Sequence, residues 1–407
     1  VLIVALYTFG YTWRDLQAGK LPEEKAMRAL FGLAVESPAT APDQQVKQAF
    51  QHIQSSYYRT VKPLELKYAG MMGLMASLGD PHTVFLEPKI AEDFQTNTTA
   101  NFVGVGARLS KEEGLGAKAV AVFEDGPAYR AGFRVNDVVI AVDGKPVGDL
   151  PIDEIVSRIK GVEGTMVELS VLRGGSGKPL TLKIRRAQIT IPTVEAKVLE
   201  KERLGYLNVT SFSEPTAEQF DRGMEKVLKS PIRGLIIDMR GNPGGLLDAA
   251  VDLLSRFAEP NKVVVKMRAR GEVESVARTY GGVNLRFRYP IAILIDEDSA
   301  SAAEIFAGAM RDYQLATLVG EHTYGKSSVQ QLFPLRDSAF AKITVARYFL
   351  PGGEDIARKV DPDGVYLKGG LQPDVKVEVP LDQVIEPGQP DKDPILKRAI
   401  EILSSRS

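Results

Sequence analysis

Apolar positions change their spacing twice along the chain. From Pro22 to about Gln95 they recur at helical spacing: Ala26, Met27, Leu30, Phe31 and Val35 within Glu23–Glu36, then Val46, Phe50, Ile53 and Tyr57. Leu66 to Leu78 continues the helical pattern and stops at Gly79-Asp80-Pro81. From about Phe102 to Arg186 short alternating strands and glycine turns take over. They are interrupted by one amphipathic helix, Pro151–Lys160, with Ile152, Ile155, Val156 and Ile159 on one face. From about Thr190 to Pro380 strands and helices alternate, which predicts an α/β layered domain. Gly234–Met239 and Ile291–Ile295 are continuously apolar, as strands covered on both faces must be. Helices are expected from Ser213 to Ser230, Leu247 to Phe257 and Ala302 to Tyr313, and the end is helical from about Asp393.

Composition narrows this picture. The 407 residues are 25% charged and 44% hydrophobic, ordinary for a globular chain of two or three domains. A formal charge of −1 supplies no basic field for nucleic acid. With no cysteine there is no thiolate catalysis, disulfide or cysteine-bound metal. The three histidines are far apart in sequence, so no metal or other cofactor is implied. The first 13 residues, Val1 to Trp13, are almost wholly apolar. That is shorter than the roughly 20 residues a bilayer span needs. The stretch reads as the end of a trimmed signal or membrane anchor, placing the protein outside the cytoplasm in the cell envelope or periplasm, with a buried helix as the alternative.

The candidate chemistry lies on three turns. Asp296 to Ile305 takes a buried strand through small residues into a helix, and Ser301 sits at that helix N-terminus, where amides and dipole favour negative charge. Ser301 is thus a candidate nucleophile and Ala302 N–H a candidate oxyanion donor; a plain helix cap is the competing reading. Thr323 to Gln330 holds Lys326 among small and apolar residues. Burial would let it act as a base where no histidine fits. Asp238 to Leu246 is a strand, a glycine-rich turn and a helix, with Gly245 a second oxyanion candidate or simply part of a tight turn. Earlier in the chain, Phe102, Val103, Gly104, Val105 and Gly106 precede a strand. Their free amides could hold a peptide carboxylate while the strand edge pairs with the peptide.

Two resemblances emerge from these residues. The 102–106 loop, Gly126-Pro127-Ala128-Tyr129-Arg130-Ala131-Gly132 and Val142-Asp143-Gly144-Lys145-Pro146-Val147 together resemble a PDZ domain. The rest resembles the carboxy-terminal processing, or tail-specific, proteases. That family shows a Ser-Ala-Ser-Ala motif, Gly-Lys 25 residues after the nucleophile and Gln four further on, matched by Ser301, Lys326 and Gln330. Arg240 to Gly245, Leu78 to Thr83 and Gly370 to Val375 match as well. The resemblance implies a ClpP/crotonase-type serine protease core with an inserted PDZ domain and a helical N-terminal region. It implies Ser301 as nucleophile, Lys326 as base, Gln330 positioning Lys326, and Gly245 and Ala302 as oxyanion donors. It also implies protein substrates with accessible C-termini bound at residues 102–106. Two departures are Ala303, where members often have Ser, and Lys160, where they often have Arg. The expected division is an anchor remnant at 1–22, helices at 23–96, PDZ at 97–187, protease core at 188–380 and a tail at 381–407. The helical region is compatible with a homo-oligomer.

Other readings compete. Gly320 to Ser327 fits the phosphate-loop pattern, but Ser328 to Phe333 reads as a strand where such a loop must open into a helix. Ser157-Arg158-Ile159-Lys160 matches a Ser-x-x-Lys motif without companions. A PDZ adaptor on an inactive scaffold would not need an intact Ser301/Lys326 pair, and an acyl-CoA enzyme of the crotonase type would not need a PDZ insertion.

Overall fold

A computed structural model describes residues 42–405 except 125, 176, 272–273, 282–288, 363 and 380–384. The apolar start and the Glu23–Glu36 helix lie outside the described residues. The chain forms two compact units that divide after Gly79. In the first, α1 (Pro42–Ser56) and α2 (Pro63–Ala76) follow the helical spacing of the sequence. Both begin at a proline, whose fixed φ suits the first helical turn.

The second unit opens with β1 (Val84–Leu86), α3 (Pro88–Thr99) and β2 (Asn101–Gly104). A sheet comes next, built from β3 (Ala107–Glu112), β4 (Gly116–Val122), β5 (Val138–Val142), β6 (Lys145–Pro146), β7 (Met166–Leu172) and β8 (Leu180–Arg185). The short α4 (Pro127–Arg130) and the amphipathic α5 (Ile152–Ile159) cover it. This module has its own core, in which Phe133, Val139, Ile155, Leu169 and Val171 are fully buried. β9 (Ala187–Thr190) then returns antiparallel to β2, so the module begins and ends on one two-stranded ribbon.

The remaining elements are β10 (Val194–Leu199), β11 (Leu204–Val209), α6 (Thr216–Val227), β12 (Gly234–Asp238), α7 (Leu247–Leu254), β13 (Val263–Ala269), β14 (Glu274–Arg278) and β15 (Ile291–Ile295). After them come α8 (Ala302–Asp312), β16 (Thr317–Gly320), β17 (Ser328–Pro334), β18 (Phe340–Phe349), the small ribbon β19 (Lys359–Val360) and β20 (Tyr366–Lys368), β21 (Val375–Lys376) and α9 (Pro394–Ser405). The central sheet has the order β10-β11-β12-β15-β16-β21, parallel from β11 onward. Its two faces explain the continuous apolar runs. Leu235 and Ile237 face α6, α7 and α8, while Ile236 packs with Leu396, Ala399 and Leu403 of α9. A second, antiparallel sheet is organised on β18, which pairs with β1, β17 and β13. Among the strands the sequence missed are β1, β10 and β14; β1 and β14 are edge strands of three and five residues, too short to show a period.

Candidate active site

Ser301 follows the end of β15 and caps α8. Its backbone has φ 56° and ψ −115°, a conformation that costs a non-glycine residue and persists only where the surroundings enforce it. Those surroundings begin with Gly244, at φ 91°. A Cβ there would lie 2.5 Å from Ala300 O, 2.7 Å from Ser301 Cβ and 2.8 Å from Ala302 N, so glycine is what lets the β12–α7 turn touch the serine. The turn itself is fixed. Asn242 Nδ2 donates to Val209 O (2.7 Å), Gly244 N–H donates to Asn242 Oδ1 (2.8 Å), and Ala300 N–H donates to Asn242 O (2.9 Å). Phe212 N–H and Leu246 N–H close a ladder across Gly245, bonding Gly244 O and Phe212 O at 2.9 and 2.7 Å. Ala302 is the first residue of α8, a position whose N–H has no acceptor within its own helix.

Lys326 lies on the loop between β16 and β17. Burial lowers its ammonium to about 8, helped by the nearby Lys342 charge and opposed by Glu304 and Asp80. Ser301, Lys326, Gly245, Ala302 and Gln330 all line one cavity of about 650 Å³. Its apolar wall includes Phe94, Leu246, Val265, Met267, Ile305 and Leu332. Gln330 reaches it from β17 beside a register shift, where Val345 of β18 is the extra residue between the Val329–Ala346 and Gln330–Thr344 pairs. Its Nε2 donates to Ser328 Oγ (2.8 Å) and Thr344 Oγ1 (3.2 Å).

Two residues outside the motif spacing hold the loops together. Glu304 is fully buried. Its carboxylate accepts from Ser301 N–H (2.8 Å), Gly325 N–H (2.7 Å), Lys326 N–H (3.0 Å) and the Thr323 hydroxyl. Burial pushes Glu304 up to about 7 against these bonds. We favour the ionised form, because each oxygen receives two donors and Thr323 Oγ1 is itself an acceptor for Leu371 N–H. Tyr348, also buried, donates its hydroxyl to Lys326 O. Burial and the Glu304 charge keep that phenol protonated. Sequence alone offered one signal for Glu304, a glutamate three residues after a helix-capping serine.

The other histidines and motifs resolve simply. His322 stacks on Tyr366 with 4.0 Å between centroids. The Gly320–Ser327 segment runs into strand β17, the opposite of a phosphate loop. Ser157 lies on α5, and Lys160 at its end holds its ammonium 5.9 Å from the Phe102 ring centroid. Burial, followed by the Lys326 charge, lowers the His82 imidazole.

Residues 203–377 match peptidase family S41 and residues 119–173 match the PDZ domain. The carboxy-terminal processing protease CtpB of Bacillus subtilis is 31% identical over 337 residues, 82% of this chain and 68% of that protein. CtpA of the same organism, also a carboxy-terminal processing protease, is 30% identical over 352 residues, 86% of this chain and 72% of that one. The chain belongs to peptidase family S41, among the carboxy-terminal processing proteases. A solved S41-type protease from Bacteroides fragilis shares the fold, with TM-score 0.52 and 16% identity over 91% of this chain and 100% of that one.

In this S41 peptidase the loop at 102–106 divides in two. Phe102, Val103 and Gly104 are spent on β2, pairing with Ile189, Gln188 and Ala187. Val105 and Gly106 form the turn, and their carbonyls accept Ala128 N–H (2.7 Å) and Phe123 N–H (3.0 Å) inside the PDZ module. Among the described residues no cluster could hold a metal ion, and no helix is long and apolar enough to cross a membrane.

Proposed function

We propose that the chain is a serine endopeptidase with a Ser301/Lys326 dyad on a ClpP/crotonase-type core. In this reading it takes the C-terminal tails of protein substrates on its PDZ domain and cuts them through an acyl-enzyme. The observation that carries the reading is the meeting of Ser301, Lys326, Gly245, Ala302 and Gln330 on one cavity. The depressed ammonium of Lys326 supports its role, since near neutral pH a useful fraction is the free amine.

Ser301 Oγ attacks the scissile carbonyl carbon while its proton passes to Lys326 Nζ. The oxyanion accepts hydrogen bonds from Gly245 N–H and Ala302 N–H. As the C–N bond breaks, Lys326 returns the proton to the leaving amine. A water then attacks the ester, giving its proton to Lys326, and Ser301 leaves with that proton restored. Gln330 keeps Lys326 in line, its Nε2 anchored so that its carbonyl oxygen remains as an acceptor. The inward carbonyls of Val105 and Gly106 support a carboxylate nest in which the amides of that turn face the peptide terminus. A tail would then extend β3 as an added strand beside α5. The apolar start of the sequence supports an extracytoplasmic, membrane-anchored setting.

Cleavage of a disordered test protein is the deciding assay. Ser301→Ala and Lys326→Ala are each expected to abolish it while unfolding as cooperatively as the parent. Parent-like cleavage by either variant ends the assignment.

A further inference from the structure

The Asp80-Pro81-His82-Thr83 turn has no part in the reaction above, yet it is built against the strand behind the base. Thr83 Oγ1 donates to Asp80 Oδ2 (2.6 Å) and accepts Thr344 N–H (3.0 Å) on β18. His82 N–H donates to Asp80 Oδ1 (3.0 Å). Burial works against Asp80, but hydrogen bonds from Thr344, Thr83 and the His82 amide hold it below the usual carboxylate range, so it stays charged. Thr344 Oγ1 also receives Gln330 Nε2 (3.2 Å), which links the turn to the catalytic strand.

Two positions before Thr344, on the same face of β18, stands Lys342. It lines the cavity with Ser301 and Lys326, and its ammonium lies 5.5 Å from the Phe94 ring centroid. The site therefore holds two lysines where the reaction consumes one. We propose that Lys342 is a positioning residue, a second cation held on β18 by Phe94 and the Asp80 turn in the cavity it shares with Lys326, and that it keeps that base free to accept the serine proton. The inference rests on reading Lys326 as the base.

The surrounding charges fit this role. Burial lowers both lysines, and the Asp80 charge opposes the lowering at each. The Phe94 ring beside the Lys342 ammonium favours the charged form there. From α8, Glu304 acts in the opposite sense on Lys326, but its four acceptor positions are already filled by backbone and hydroxyl donors. His82 is lowered by burial and by both lysines, against the opposing charge of Asp80. Arg347, further along β18, turns to Ser327 Oγ (3.2 Å) and Asp355 (3.6 Å).

The test is the pH dependence of Ser301 labelling by a fluorophosphonate, run from about pH 6 to about pH 10.5 on the parent, Lys342→Met, Lys342→Arg, Asp80→Asn and Lys326→Ala. The parent rate should climb through pH about 8, and Lys326→Ala should be unreactive. If the parent shows no such limb, or Lys326→Ala labels at the parent rate, the base assignment fails. Granted that limb, Lys342→Met should move it to higher pH, lowering the rate at pH 7 by roughly ten-fold while leaving the alkaline plateau intact. Lys342→Arg should keep the parent limb. Asp80→Asn should move the limb the other way, since it removes a charge that favours the ammonium. This opposite shift separates electrostatics from misfolding. A limb that stays put in Lys342→Met, or a loss that is equal at every pH, overturns the proposal.

Discussion

A buried lysine is a lysine buried at a cost. Lys326 titrates near 8, below its ordinary 10.5, mainly because burial penalises its charge. The folded-state value is thus depressed below the unfolded one. Between about pH 8 and 10.5 the unfolded chain holds a proton that the folded chain has lost, so stability rises with pH across that window and the penalty is complete below it. The penalty is about 3 kcal/mol at most. Lys326→Met should therefore be inactive yet more stable than the parent at pH 7, with the gain fading as pH approaches 10.5; urea midpoints at several pH values measure this. A variant less stable at pH 7 would mean that Lys326 is held by favourable contacts and that burial does not activate it. At this scale the sequence singled out Ser301, Lys326 and Gln330 by their spacing, and the structure brings the three to one cavity. Glu304 and Tyr348 were less legible, because their value lies in bonds to loops up to 47 residues away.

The elements that carry these residues are tied from outside the site. The continuous apolar runs at Gly234–Asp238 and Ile291–Ile295 could be read as buried strands, because helices cover both faces. What covers the second face was less legible: the helix expected from about Asp393 is α9, but its sequence did not say that it packs on the central sheet. Its Asp393 accepts Leu396 N–H (3.0 Å) as an N-cap and pairs with Arg240 NH1 and NH2 at 2.8 and 2.6 Å. Arg240 NH2 also bonds Asp238 Oδ2 (2.6 Å), which in turn accepts the Tyr206 hydroxyl (2.7 Å). All the members are buried, and Arg240 opens the turn that carries Gly244 and Gly245. Asp393→Ala leaves a buried guanidinium with half its partners and an uncapped helix, so it should lower stability by roughly 3 kcal/mol. If the clamp also sets the oxyanion turn, fluorophosphonate labelling should slow at temperatures where the variant is still folded. Unchanged stability would show that α9 is held by its apolar face alone.

For the molecule as a whole, the arrangement of the PDZ module lets its part in the proposed recognition be tested apart from the chemistry. The module has its own core and is spliced into the protease through β2 and β9, whose last and first residues, Gly104 and Ala187, face each other across the ribbon. The cavity around Ser301 draws its walls from residues 94–100, 191–193 and the protease core, and from none of residues 105–186. The strand ends are thus close enough for a two-residue Asn-Gly turn to join them. An enzyme with residues 105–186 replaced by that turn should still unfold cooperatively and should still label at Ser301. What it should lose is discrimination. The parent is expected to cut a disordered substrate with a free apolar C-terminus several-fold faster than the same substrate ending in an amide, because the amide removes the charge that the Val105–Gly106 nest would bind. The shortened enzyme should cut both at one rate. Were it to keep the parent's preference, the tail would be read by the active-site cleft, and the PDZ module would have another task. Were it to lose labelling while still folded, the module would be needed to align Ser301 with Lys326, through α3 and the 191–193 segment that follows β9, both of which line the cavity.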